Sequence, residues 1–538
     1  MNDIFTSQKR QDTLLIEKYS TDASIFKVTP REAIESVDFK NVIESIKNKE
    51  KFSVRAAGTC MSGGSLTNEK VIRIKPIKNF KLKSGDINTE NPSDDTQNIS
   101  EYIWVDSNIY IKDLLEELKK RNKFFAPYTS SKDVCMLSGM IGNNSSGEKS
   151  LTYGPTSRNI SELKVILNTK ELYGEVYHAK EKKIMESDGL ERYDYKFEEE
   201  IVNIIKNNLE IINKNKPTTN KNAAGYNMWD VYDSEKNTFN LTPLFIGAQG
   251  TLGIVTEAKI KIKNILKFEC MLIIPLSNIH ELPSVVKEAV SGGATSVECF
   301  DHETYELAKI HMAQDSKLAN YANNKKIVIF AEFCNDKISV NKNKINLLKN
   351  NLHKLGINSY LTENIEESQA YWNIRRASFK LLRDFAPKGY KAIPIIEDTI
   401  ISLEHYDNYL KELLEILYKY DMRYTYAGHI GDGSIRLIPL IRKDQTGAKE
   451  DILNMADEVY TLVKKYNGSI SCDHNDGLAR TYALSMQYDE EILHIFKDIK
   501  SILDYNNILN PGKKITHCKN YNNNREAREY VLKNIYLA

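Results

Sequence analysis

Two short segments bring histidine, carboxylate and arginine within a few residues of one another: Gly428-His-Ile-Gly-Asp-Gly-Ser-Ile-Arg436 and Cys472-Asp-His-Asn-Asp-Gly-Leu-Ala-Arg480. Imidazole titrates near neutral pH, so it can take a proton or ligate a metal, and an adjacent carboxylate can complete such a site. His429, Asp473 and His474 are therefore the candidate reactive groups. A single histidine more often satisfies a buried carbonyl, but two segments that each carry Asp-Gly and an arginine form a pattern. Upstream, Tyr371-Trp-Asn-Ile-Arg-Arg-Ala377 offers Arg375, whose planar guanidinium suits bidentate capture of a substrate carboxylate. Its neighbour Arg376 reads as an ion-paired residue on a solvated helix face.

What could position a ligand beside these groups lies in the first half of the chain. Arg55-Ala-Ala-Gly-Thr-Cys-Met-Ser-Gly-Gly-Ser65 sets three glycines among hydroxyl residues directly after Phe52-Ser-Val-Arg55. Positive φ at Gly58, Gly63 and Gly64 would let successive N–H groups face an anion, with Thr59 and Ser62 adding hydroxyl donors. Gly64 stands where a Walker loop needs lysine, and the spacing is not G-x-G-x-x-G. Similar clusters follow at Ser138-Gly-Met-Ile-Gly-Asn-Asn-Ser-Ser-Gly147 and Phe245-Ile-Gly-Ala-Gln-Gly-Thr-Leu-Gly-Ile-Val-Thr256. Three such loops suggest convergence on one extended, phosphate-bearing ligand.

Between the loops, helix and strand patterns alternate. Asp38–Lys47 and Ile111–Lys120 have helical apolar spacing, while Val71–Lys75, Tyr102–Val105 and Ala258–Lys263 are strand-like. The polar stretch Ser84–Ser100 reads as a solvated excursion. Beyond Lys267 the glycine clusters thin out, and Lys326–Glu332 and Tyr406–Leu417 read as ordinary strand and helix. The expected division is an arm over 1–30, a ligand-binding domain over 31–265, a second domain over 266–504 and a C-terminal segment over 505–538.

The chain has 538 residues, with 74 Lys and Arg against 73 Asp and Glu. A net charge of +1 gives no field for nucleic acid or an anionic membrane. Met1–Arg10 carries no apolar leader core and Cys270–Leu276 is too short to span a bilayer, so the expected location is cytoplasmic, with peripheral contact at the inner membrane face left open. Seven cysteines without a Cys-x-x-Cys pair fit reduced packing residues rather than an iron–sulfur site.

With these motifs in order, the chain resembles the FAD-linked 2-hydroxy-acid dehydrogenases of the vanillyl-alcohol oxidase and p-cresol methylhydroxylase superfamily, a group that includes D-lactate dehydrogenases, the glycolate oxidase flavin subunit and D-2-hydroxyglutarate dehydrogenase. The resemblance runs from about Pro30 to Lys514. It implies an α+β fold: a bipartite FAD-binding domain of two α+β subdomains, followed by a cap domain whose antiparallel sheet is flanked by helices. Arg55, Gly58, Thr59, Ser62, Gly63 and Gly64 resemble the first pyrophosphate segment. Pro127, Ser130, Ser131, Gly139, Asn143, Asn144, Ser145, Gly147, Tyr153 and Gly154 resemble the second. Asn222–Asn227 and Gly247–Thr256, including Gly250, Gly253, Ile254 and Val255, resemble the segment along the adenosine and flavin ring, and Asn510-Pro-Gly-Lys513 the return to the FAD domain.

The same resemblance implies that a D-2-hydroxy acid such as D-lactate is oxidised to the 2-oxo acid, with His474 as base, Arg375 as carboxylate clamp, and His429 and Arg436 beside them. FAD is expected to be non-covalent, because Arg55–Gly154 contains no histidine. Electrons are expected to pass to a separate quinone, cytochrome or electron-transfer flavoprotein, since no cysteine-rich extension precedes residue 538. Members that use a divalent metal, Zn or Mn, ligate it with both histidines of GHxGDGNxH and the Glu of a later Glu-His pair. Here His429 is kept, but Arg436 replaces the second histidine, Ser434 the Asn, and Asp473 the Glu. His429 and Asp473 remain the metal candidates, and Arg436 is a substitute for the metal's charge. Two other readings stay open: a flavin-binding homologue that has lost catalysis, and a metal hydrolase built on His429, Asp473 and His474, which leaves the glycine loops unexplained.

Overall fold

The computed structural model describes residues 12–82, 88–90, 100–187, 190–311, 325–516 and 525–537. Its first sheet begins with a β-α-β step. Strand Glu32–Ser36 leads into helix Lys40–Lys47, whose buried Val42 and Ile46 pack on Phe52, Ile72 and Ile74. The helix returns the chain to strand Phe52–Arg55, and both strands lie parallel to the central Lys70–Ile74. The first glycine loop connects the C-terminal end of Phe52–Arg55 to Lys70–Ile74, and such strand ends are where open sheets hold ligands.

A second, antiparallel sheet orders Asn88–Glu90, Ser100–Asp106, Ile254–Asn264, Ile160–Asn168 and Tyr173–Ala179, with Lys123–Phe124 also pairing to Ile254–Asn264. The strand expected over Ala258–Lys263 starts at Ile254, and a register shift between Val255 and Glu257 bends it there. Of the expected excursion Ser84–Ser100, strand Asn88–Glu90 pairs with residues 100–102, and residues 91–99 lie outside the described residues. Met1–Arg10 and Cys518 lie outside them as well.

The third sheet has eight strands, all antiparallel. Its order is Tyr360–Leu361, Phe268–Leu276, Ile327–Asn335, Ser296–Asp301, Arg423–Gly428, Ser434–Arg442 and Tyr390–Ala392, with Thr399–Ile400 also on Ser434–Arg442. Its side chains alternate between two cores. Met271 and Ile273 pack with Tyr371 and Trp372 of helix Ile365–Phe385, whereas Leu272 and Ile274 join Val285 and Leu348 on the other face. Helix Ile365–Phe385 is started by the Asn364 side chain, which accepts from the Glu367 N–H at 2.9 Å, and it carries Arg375 and Arg376 toward the first half of the chain. The α+β class, with a bipartite first half and an antiparallel cap sheet, is the one observed. No helix among the described residues is long and apolar enough to cross a membrane.

Candidate functional site

A cavity of about 1250 Å³ opens where the glycine loops of the first half face the third sheet. Drug-sized ligands occupy roughly 300–1,000 Å³, so this space suits something longer. Arg55, Gly58, Thr59 and Gly64 line it from the first loop. Gly58 and Gly63 take φ of +78° and +73°, but Gly64 does not take positive φ; a Cβ there would lie 2.4 Å from Gln249 Nε2, so that side-chain end would have to shift. Ser62 and Gly63 do not reach the cavity. The Ser62 hydroxyl instead donates to the His474 carbonyl at 2.9 Å, and Gly63 packs against Phe26 and Leu478.

The second loop contributes Ser130, Ser131, Gly139, Asn143 and Ser145. Pro127, Asn144, Gly147, Tyr153 and Gly154 stand behind this wall. Asn144, at φ +52°, bridges the Asn222 carbonyl and the Ser157 N–H, while a Cβ on Gly147 would sit 1.9 Å from the Tyr128 carbonyl oxygen. From the third loop Gly250, Gly253, Ile254 and Val255 line the cavity. Asn222–Asn227 also stands behind it, with the Gly225 N–H donating to Asp476. Asn510 acts as a clasp from behind: its Nδ2 donates to the carbonyls of Gly64 and Gln249, both at 2.8 Å.

The opposite wall is built from buried charge. Arg375, Arg436, Asp473 and His474 line the cavity, and His429 lies behind them, 4% exposed. Glu298 joins the two groups, with Oε2 accepting from Arg375 Nε at 2.9 Å and Oε1 standing 2.5 Å from His429 Nδ1. Burial pushes the Glu298 carboxyl up to about 8, although Arg375 opposes the shift. Burial, then Arg436, Lys221 and Arg375, hold the His429 imidazole well below its ordinary value. Asp473 pairs with Arg436, which keeps its carboxyl well below the usual range against the pull of burial.

His474 is oriented differently. Its Nδ1 lies 2.9 Å from Glu397 Oε1, and its backbone N–H donates to Asp398 at 2.9 Å. Burial disfavours ionisation of Glu397, but Arg480, which is fully buried, and His474 together hold its carboxyl below the ordinary value. The 473–477 turn is tied to every glycine loop: His474 to Ser62, Asn475 to Asn143 and Gly247, and the Gly477 N–H to Gln249 Oε1 at 2.9 Å. Glu298, Glu397 and Asp398 escape the motif reading, although Glu298 and the pair Glu397-Asp398 each sit in an apolar run, Ser296-Val-Glu-Cys-Phe300 and Ile393-Pro-Ile-Ile-Glu-Asp398; Gln249 and Arg480 lie inside the motifs but take no role of their own in that reading. Arg376 is ion-paired as expected, but with Glu148 of the first half at 2.6 Å rather than on a solvated face.

A family model described as FAD binding domain matches residues 37–173, and one described as FAD linked oxidases, C-terminal domain, matches residues 266–514. The chain belongs to the FAD-linked oxidases. It is 25% identical over 527 residues to D-2-hydroxyglutarate dehydrogenase of Haemophilus influenzae, covering 92% of this chain and 49% of that protein. This chain thus spans about half the length of that relative. Glycolate oxidase subunit GlcD of Bacillus subtilis is 23% identical, covering 76% of this chain and 74% of GlcD. In fold it resembles 4-ethylphenol oxidase from Gulosibacter chungangensis, with a TM-score of 0.65 at 14% identity over 95% of this chain and 94% of that one. p-Cresol methylhydroxylase gives 0.63 at 12% identity, over 94% and 93%.

The cavity of this FAD-linked oxidase fits FAD. A Cβ on Gly142 would have only Gln249 Cα within 4 Å, at 3.8 Å, so the wall there is bare backbone open to a ligand. Arg55 Nη1 is buried with no hydrogen-bond partner in the protein, a free cationic donor at the first loop. A divalent metal fits less well. His429 Nε2 faces Asp473 Oδ2 at 3.8 Å, but Arg436 already caps that oxygen. Asp398, Asp473 and His474 also cluster, yet Asp398 accepts from the N–H groups of Asp473 and His474 and from the Ser471 hydroxyl. These carboxylates are committed to protein donors, so the donor set does not suit a metal ion.

Proposed function

We propose that this chain is an FAD-dependent dehydrogenase that oxidises a small D-2-hydroxy acid, of the D-lactate type, to the 2-oxo acid. The observation that carries this reading is the convergence of Arg375, Arg436 and His474 on one face of the FAD cavity. Bound FAD supplies a hydride acceptor at flavin N5. Arg375, fixed through Nε by Glu298, keeps a buried Nη2 with no protein partner, and that donor holds the substrate carboxylate. Glu397 engages His474 Nδ1, which leaves Nε2 to take the proton from the C2 hydroxyl. The Arg480 pair beneath Glu397 keeps this support anionic, so the imidazolium that forms is stabilised where it stands. Because each group is held by packing, the substrate meets base and clamp already oriented.

Mixing the oxidised holoprotein anaerobically with a panel of D- and L-2-hydroxy acids tests the reading. Bleaching of the flavin band by D-acids, with a stoichiometric 2-oxo acid product, is the expected result. A flavin that stays oxidised with every acid favours the catalytically silent homologue instead. The electron acceptor is proposed to be a separate quinone, cytochrome or electron-transfer flavoprotein. Acid denaturation should release free flavin, because the cavity thiol of Cys60 is pushed up by burial and is no ready nucleophile; flavin retained on the chain would contradict this.

A further inference from the structure

The geometry points to Arg436 as a built-in fixed cation that faces the substrate's C2 oxygen in place of a metal ion, so that the hydroxy-acid oxidation needs no metal. This rests on the dehydrogenase reading above. Ala427 and Arg436 are register partners across the strand pair Arg423–Gly428 and Ser434–Arg442, so Arg436 stands directly beside the turn that carries His429. Its side chain, 12% exposed, lines the cavity together with Asp473 and His474. Asp473 anchors Arg436 Nη2, and Arg436 Nε is buried with no hydrogen-bond partner in the protein. A guanidinium has five N–H donors, so the anchor leaves others for a ligand oxygen.

The surrounding atoms argue that this charge replaces a metal rather than accompanying one. Asp473 Oδ2 is capped by Arg436, and its Oδ1 accepts from the Cys472 thiol at 2.8 Å. A metal ion between His429 and Asp473 would have to displace the guanidinium and would meet Lys221, which pairs with Asp432 at 2.8 Å, and Arg375. Arg375 and Arg436 then divide the substrate: Arg375 holds the C1 carboxylate and Arg436 the C2 oxygen. In the reaction the hydroxyl proton passes to His474, the hydride on C2 leaves to the flavin, and the C2–O single bond becomes a carbonyl. Arg436 exchanges no proton or electron. It donates to the oxygen as negative charge develops there, a task worth roughly 10²–10³-fold in rate when such a donor is lost.

The test uses the full-length holoprotein, grown with added Zn²⁺ and Mn²⁺ and dialysed against EDTA, with metal content read by mass spectrometry and flavin reduction followed anaerobically. Far less than one metal per flavin, with an unchanged reduction rate, is the expected result. About one Zn²⁺ or Mn²⁺ per flavin, lost together with activity and restored with it, would overturn the proposal. Arg436→Met should lose roughly 10²–10³-fold in flavin reduction while keeping its flavin, and Arg436→Lys should recover part of that. Arg436→Met reducing at the wild-type rate would also overturn it. Wild-type flavin that no 2-hydroxy acid reduces would overturn the dehydrogenase reading itself, whereas reduction that depends on metal sinks only the role given to Arg436.

Discussion

The two walls of the FAD cavity are made of different materials. The cofactor side is mostly backbone: glycines, small hydroxyl residues and asparagine clasps such as Asn510, whose amide ties two loops together. The facing side is buried charge under low exposure: Arg375 held by the Glu298 carboxyl, Arg436 paired with Asp473, and Arg480 with Glu397 and Asp398. A backbone wall tolerates little added volume but has few charges to lose. A wall of buried pairs behaves in the opposite way, because removing one partner leaves an uncompensated charge.

That contrast can be broken most sharply at Arg480, which is fully buried and bonded to the carbonyls of Asn475 and Ile395 as well as to the two acids. Arg480→Met should cost about 3–5 kcal/mol of unfolding free energy in a urea titration, because Glu397 and Asp398 lose their buried partner. A loss near zero would show that these acids are paired well enough without it. Next comes Arg375→Ala, expected to slow flavin reduction by roughly 10²–10³-fold with the flavin retained. A reduced rate with only a raised KM would mean that Arg375 binds without favouring the transition state.

Where the two walls meet, Gly477 has φ +51°, and a Cβ there would lie 2.3 Å from the Ser62 carbonyl oxygen. Gly477→Ala should therefore push the His474 turn away from the first glycine loop and weaken FAD binding by about 1–3 kcal/mol, read by flavin fluorescence on dilution. Unchanged affinity would mean that the two walls are mechanically independent. The smallest effect is expected from Glu298→Gln, and it depends on pH. The Glu298 carboxyl sits at about 8 in the folded protein, above its ordinary unfolded value, so the folded state holds more protons between those values and loses stability as pH rises through them. The Gln variant lacks this loss, so its stability relative to the wild type should improve from about pH 5 to pH 8. The opposite slope would show that Arg375 dominates the burial of Glu298.

The two materials also differ in how far they were readable along the chain. Glycine-rich turns announce themselves locally, and the helix Lys40–Lys47 and the strands Phe52–Arg55 and Ser100–Asp106 follow apolar periodicities that need no partner to be seen. Which loop residue lines the cavity was less readable: Ser62 has the right chemistry, but its hydroxyl is consumed by His474, 412 residues away. Arg376 is ion-paired as read, but its partner Glu148 stands 228 residues earlier in the chain instead of on its own helix face. His429 and His474 were candidates together, yet the fold withdraws His429 behind Arg436 and Asp473.

By itself the sequence determined an alternation of helices and strands, the three turns able to approach an anion, and the set of histidines and arginines available for chemistry. These follow from local sterics and from periodicity, which act over a few residues. Only the tertiary structure decided that the 473–477 turn is bonded to all three glycine loops, that Glu298 and Glu397 stand behind the cavity as partners for Arg375 and His474, and that Arg436 takes the Asp473 carboxylate. A buried charge has no fixed role until the fold assigns its partner, since the cost of burial and the gain from pairing are both large and depend on distances no sequence spacing records.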